Sequence, residues 1–131
     1  MSRQYHILVV EDERDWREDV FRENLEGAGY WVATSSSYDE AIAHLEQRTF
    51  DLAVIDINLT GQRGNQDGIR VMEKMASLEH KPQVIVVSGS KNRAMAEESV
   101  KRFHPVVFLD KPKFDVAEFL ALIKETLAGA Q

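Results

Sequence analysis

The chain has 131 residues, with 16 Lys and Arg against 22 Asp and Glu, a formal charge of −6, four His and no Cys. At this length one domain buries roughly two thirds of its unfolded surface without help from a metal or cross-link. The lack of Cys excludes a disulfide framework and a thiolate metal site and fits a reducing, cytoplasmic compartment. Net acidity argues against nucleic acid as a direct partner, because phosphate backbones are held by clustered Lys and Arg. The longest apolar runs, such as Ile7 to Val10 and Val84 to Val87, are far short of the about 20 residues a membrane span needs. The N-terminus lacks the apolar length of a secretory signal. The expectation is a mature chain starting at Met1, with residues 1–131 forming a single domain and no output domain within the chain.

Five short Val/Ile/Leu-rich runs recur along the chain: Tyr5 to Val10, Tyr30 to Ser35, Leu52 to Ile57, Val84 to Ser88 and Val106 to Leu109. They are nearly continuous in apolar residues, as strands covered on both faces require, so the sheet is expected to be parallel. Between them the period becomes helical. Trp16, Val20 and Leu25 share one face, with Gly27 and Gly29 available to stop that first helix. Ser37 with Glu40 makes a capping box for a second helix carrying Ala41, Ile42 and Leu45. Asp67 can cap a third carrying Ile69, Met72 and Met75. A fourth, roughly Arg93 to Phe103, has the weakest pattern. Asp115 with Glu118 repeats the capping device for a fifth, where Phe114 can staple onto Phe119, and Gly129 suits the position past its last turn. Leu59 to Asp67 is an unusually long connection.

Strands alternating with crossover helices predict an α/β domain: a doubly wound five-stranded parallel sheet in the flavodoxin-like order 2-1-3-4-5, with helices on both faces. In such a sheet ligands bind at the carboxyl ends of the strands, near the switch between the first and third. Glu11, Asp12 and Glu13 follow the first strand, Asp56 ends the third, Ser88 ends the fourth, and Lys111-Pro112 follows the fifth. Like charges about 4 Å apart cost on the order of 4 kcal/mol at an effective dielectric of 20, so this cluster needs a proton or a cation. Hard carboxylate donors without His or Cys favour Mg²⁺, with Mn²⁺ able to substitute. With a metal bound, Asp56 can attack phosphorus and form an aspartyl phosphate, while Lys111 and the Ser88 hydroxyl stabilise the phosphoryl oxygens. Each residue alone has an ordinary reading as cap, turn or solvated helix face; their conjunction at one sheet edge carries the inference.

On these residues the chain, from Tyr5 to Leu127, resembles the receiver domain of two-component response regulators. Glu11-Asp12 resembles the family's acidic pair, Asp56 in VIDINL its phosphoacceptor, Ser88 in VVSGS its hydroxyl residue, and Lys111-Pro112 in LDKPKF its Lys-Pro. The resemblance implies that Asp56 accepts phosphate from a sensor histidine kinase or a histidine phosphotransfer protein. It implies that Asp12, Asp56 and the backbone carbonyl of Asn58 ligate Mg²⁺, with Glu11 acting through water. It places a switch aromatic on Phe108, which also suits a plain core role. A surface formed by the fourth helix, fifth strand and fifth helix would then meet a downstream effector or a second copy in a homodimer. The chain departs from the family in having Thr60 where a proline is frequent, about four extra residues before Asp67-Gly68, and Asn58 and Ser90 at positions that tune loss of the phosphate.

Asp56-Ile57-Asn58-Leu59-Thr60 also resembles the DxDxT signature of haloacid-dehalogenase-like phosphatases, but Asn58 cannot serve as their second acid. The same residue weighs against a Toprim-like nuclease. A flavodoxin-like FMN site would set phosphate against the repulsive EDERD loop. The remaining alternative is a receiver-like binding module that works without phosphorylation.

Overall fold

The computed structural model describes residues 4–57, 67–89, 97–98, 100–103 and 106–129. The strands are β1 His6–Val10, β2 Trp31–Ser35, β3 Leu52–Asp56, β4 Gln83–Ser88 and β5 Val106–Asp110. They form one five-stranded sheet in the order β2-β1-β3-β4-β5 with every neighbouring pair parallel, as the sequence predicts. Successive side chains leave a strand on opposite faces, and both faces here are covered. Ile7 and Val9, with Leu52, Val54, Ile85 and Val87, meet Phe21, Leu25, Phe119, Ile123 and Leu127 on one face. Leu8 and Val10, with Ala53, Ile55 and Val86, meet Ala41, Leu45, Val71, Met72 and Met75 on the other.

The helices are α1 Glu23–Gly27, α2 Tyr38–Gln47, α3 Asp67–Ala76 and a C-terminal helix, Val116–Gly129. Residues 97, 98 and 100 of the expected fourth helix are helical, whereas 101–103 form a turn and bend, so the helix stops short of Phe103; residues 93–96 and 99, and residues 59–66 of the long connection, lie outside the described residues. The Glu40 amide donates to the Ser37 hydroxyl at 3.3 Å, but the Glu40 carboxylate accepts from the Ser36 amide at 2.7 Å rather than from Ser37, so the capping box is shifted by one residue. The Glu118 amide donates to Asp115 Oδ2 at 2.9 Å, and the Phe114 and Phe119 rings stack with centroids 5.1 Å apart. Gly29 takes φ +97°, the left-handed conformation that closes α1. Gly129 is the last helical residue rather than the one beyond.

The first helix departs from expectation. Asp15–Arg22 winds as a π-helix before continuing as α1, and the Glu23 amide donates to the Glu18 carbonyl, five residues back. An α-helix turns about 100° per residue, so positions five apart would diverge by about 140°. The wider π turn instead brings Trp16 and Phe21 over one another, with centroids 5.6 Å apart. Phe21, absent from the expected apolar face, is fully buried, whereas Val20 is half-buried.

Candidate functional site

β1 ends where the chain turns into the first helix, and the Glu11 amide donates to the Ser35 carbonyl at 3.0 Å. This holds Glu11 inside the domain with its side chain fully buried, while Asp12 beside it is exposed. Asp56 closes β3, and the Ile57 amide donates to the Val87 carbonyl at 2.8 Å, fixing that strand end against β4. Lys111 opens a 3₁₀ turn, Lys111–Lys113, after β5. Its stem passes Gly89, where an added Cβ would lie 3.4 Å from Lys111 Cδ. The ends of β1, β3 and β5 thereby meet, as the strand order requires.

Lys111 Nζ lies 2.8 Å from Glu11 Oε1, 3.2 Å from Asp56 Oδ1 and 3.4 Å from Glu13 Oε1. The first contact lacks hydrogen-bond direction, so Oε1 of Glu11 is buried beside a charge but without a donor aimed at it. Its other oxygen, Oε2, accepts from the Glu13 amide at 3.0 Å. Burial, reinforced by the charge of Asp56, pushes the Glu11 carboxyl up to about 7. Burial likewise pushes Asp56 up to about 6, against the opposing pull of Lys111. For Lys111 burial acts downward, and Asp56 and Glu11 outweigh it, so its ammonium is held above the ordinary lysine range. Even with one ammonium present, the site therefore has room for more positive charge.

Glu11, Asp12 and Asp56 each bring a carboxylate oxygen within 4.8 Å of the others. Three hard oxygen donors, one with an undirected lone pair, fit a small divalent cation such as Mg²⁺ and not a soft metal. The backbone carbonyl of Asn58 lies outside the described residues, as do Thr60 and Ser90.

Ser88 is buried at the end of β4, one step past Val87, the register partner of Asp56, and opposite Asp110 of β5. Phe108 sits in mid-β5 opposite Val86 and packs, half-buried, against the apolar cluster under α2 and α3. Three neighbours of the site were not legible as such. Trp16, which reads as packing, holds its ring centroid 4.9 Å from Lys111 Nζ and meets Phe114 edge-on at 5.3 Å. Arg17 donates into the acidic loop. Gly68 backs the main chain of Asp56: a Cβ there would lie 2.5 Å from the Asp56 carbonyl oxygen.

Comparison with known proteins agrees with this fold and gives its family. Residues 7–124 match the model of the response regulator receiver domain family. The chain belongs to that family. Among curated relatives, the receiver domain is 36 % identical over 88 residues to the alginate biosynthesis transcriptional regulatory protein AlgB of Pseudomonas aeruginosa, covering 67 % of this chain and 18 % of that protein. It is 31 % identical over 108 residues to the nitrogen assimilation regulatory protein NtrX of Azorhizobium caulinodans, covering 82 % of this chain and 23 % of that one. The chain thus spans about a fifth of the length of these relatives. Among solved structures, a CheY-like receiver domain protein from Methanospirillum hungatei superimposes with a TM-score of 0.80 at 25 % identity, over 98 % of this chain and 97 % of that chain. The receiver domain of NtrX from Brucella abortus gives 0.77 at 29 % identity, over 93 % and 98 %. As a response regulator receiver domain, the protein is a signalling module of two-component regulation.

Proposed function

We propose that this receiver domain is switched by phosphorylation of Asp56. The observation that carries the proposal is the Lys111 ammonium shared between Glu11 and Asp56, with Asp12 alongside, at the carboxyl edge of the sheet. A sensor histidine kinase or a histidine phosphotransfer protein presents a phosphoimidazole. An oxygen of Asp56 forms the new P–O bond as the P–N bond breaks, and the imidazole nitrogen keeps the electron pair. Asp12, Asp56 and the Asn58 carbonyl would hold Mg²⁺, or Mn²⁺ in its place, with Glu11 acting through water. The ion supplies charge neutralisation at the phosphoryl oxygens. Lys111 and the Ser88 hydroxyl take further phosphoryl oxygens.

Drawing Ser88 and Lys111 toward the phosphate biases β5, Phe108 and the adjoining helices toward a second packing, which an effector or a second copy recognises. The module turns over no diffusible substrate beyond loss of its own phosphate. It works as one cytoplasmic domain, without direct contact to nucleic acid. Incubation with acetyl phosphate and Mg²⁺ should add one phosphate by intact mass in the unchanged chain and none in Asp56→Asn. A label that survives Asp56→Asn would overturn the assignment.

A further inference from the structure

We infer that Arg17 is a positioning residue of the acid site, fixing the direction of Glu11 and Asp12 through their main chain. The inference rests on the reading of those carboxylates as a divalent-cation site. Arg17 Nη1 donates to the Glu11 carbonyl at 3.2 Å and to the Asp12 carbonyl at 3.3 Å. Its Nε donates to Glu18 Oε2 at 3.0 Å, and Glu18 is itself held by Arg22 Nη1 at 3.2 Å. The Arg17 side chain is 18 % exposed, so this is not a loose surface pair.

Arg17 belongs to the π-helical turn that opens the first helix, and its own amide donates to the Glu13 carbonyl at 2.9 Å. The side chain thus reaches back over the loop from which its helix starts. On the other side of the loop, the Glu11 amide is tied to Ser35, and the Glu13 amide to Glu11 Oε2. Residues 11 and 12 are therefore held from both sides, and Arg17 is the side-chain half of that clamp. A planar guanidinium can serve two adjacent carbonyls and a carboxylate at once; an ammonium on a flexible stem cannot hold that pattern.

A charge-only role and a positioning role predict opposite signs. A guanidinium acting only through its charge repels a divalent cation, so removing it would tighten binding. One that orients ligands weakens binding when lost, typically by about tenfold to a hundredfold for groups that hold metal ligands in place.

The test is calorimetric titration of the full chain with MgCl₂, comparing the unchanged protein with Arg17→Ala, Arg17→Lys and Asp12→Ala, with folding checked by circular dichroism and thermal melting. The expected result is loss of binding in Asp12→Ala, about tenfold weaker binding in both Arg17 variants, and no rescue by lysine's charge. Acetyl phosphate labelling in the Arg17 variants should need proportionately more Mg²⁺ yet reach the unchanged maximal rate, a split that general destabilisation would not produce. Arg17→Lys keeps the charge and most of the stem, so it decides the matter if Arg17→Ala does not fold. Equal or tighter Mg²⁺ binding in the Arg17 variants overturns the positioning role while leaving the cation site intact. Absence of Mg²⁺ binding by the unchanged protein overturns the site reading, and this inference with it.

Discussion

Asp56 Oδ1 and Lys111 Nζ stand 3.2 Å apart with 8 % of each side chain exposed, so two opposite charges meet where water screens them poorly. Removing one member of such a pair strands the other, which costs about 3 kcal/mol or more when the survivor must stay charged. Lys111→Ala should therefore lower stability of the metal-free protein by about that much near neutral pH, measured by urea unfolding. The loss should shrink on acidification, because Glu11 and Asp56, already pushed up to about 7 and about 6, can take protons instead. Mg²⁺ binding should persist in this variant, since the carboxylates remain.

The same two carboxyls give the metal-free domain a pH dependence whose sign is fixed. Their ordinary values are 4.5 for Glu11 and 3.8 for Asp56, and both are raised on folding. Raised groups contribute stability that is complete below the ordinary values and is lost as pH climbs through the folded ones. The unfolding free energy without metal should therefore fall by on the order of a few kcal/mol between about pH 4 and about pH 7, and the melting temperature should fall with it. Saturating Mg²⁺ should raise it most at the alkaline end and flatten the curve. Glu11→Gln should remove much of the slope; an unchanged slope would separate the effect from this site.

Gly68→Ala tests the support beneath Asp56. The added Cβ would lie 2.5 Å from the Asp56 carbonyl oxygen, 3.1 Å from Ile55 Cγ2 and 3.3 Å from Ile57 Cγ1, so backbone must shift. Overpacking of this kind costs about 1 to 3 kcal/mol. Urea unfolding should report that loss, and acetyl phosphate labelling of Asp56 should slow with it.

The two tryptophans lie in different surroundings and should answer differently. Trp16 holds its ring 4.9 Å from Lys111 Nζ, whereas Trp31 lies at the start of β2 with the Arg48 guanidinium 4.0 Å over its ring. Mg²⁺ addition or phosphorylation should change emission in the unchanged protein and in Trp31→Phe. The response should vanish in Trp16→Phe, and a response kept there would assign the signal elsewhere.

The sheet was legible because its central strands are apolar on both sides: Ile7 and Leu8 face opposite clusters, and no polar alternation breaks the run of β1. Asp56 and Lys111 were legible because parallel topology places the ends of β3 and β5 on one edge. Phe21 escaped because a search at 3.6 residues per turn sets it on a different face from Trp16, and only the π turn brings the two rings together; Arg17 escaped because nothing local shows that its side chain turns back onto the carbonyls of Glu11 and Asp12. Gly68 escaped for another reason: nothing local marks a glycine whose task is to leave space for a carbonyl of a neighbouring strand.

That absent side chain gives the domain a mechanical direction. With α3 seated directly behind the Asp56 carbonyl, and the next amide bound to Val87, the main chain at the end of β3 has nowhere to recoil. On the proposed switch, a push or pull at its carboxylate would be delivered laterally, to the Lys111 stem lying along Gly89 and to the 3₁₀ turn after β5 that carries it. In that switch the end of β3 backed by α3 would be the anvil, and the Lys111 side that follows β5 the part that moves.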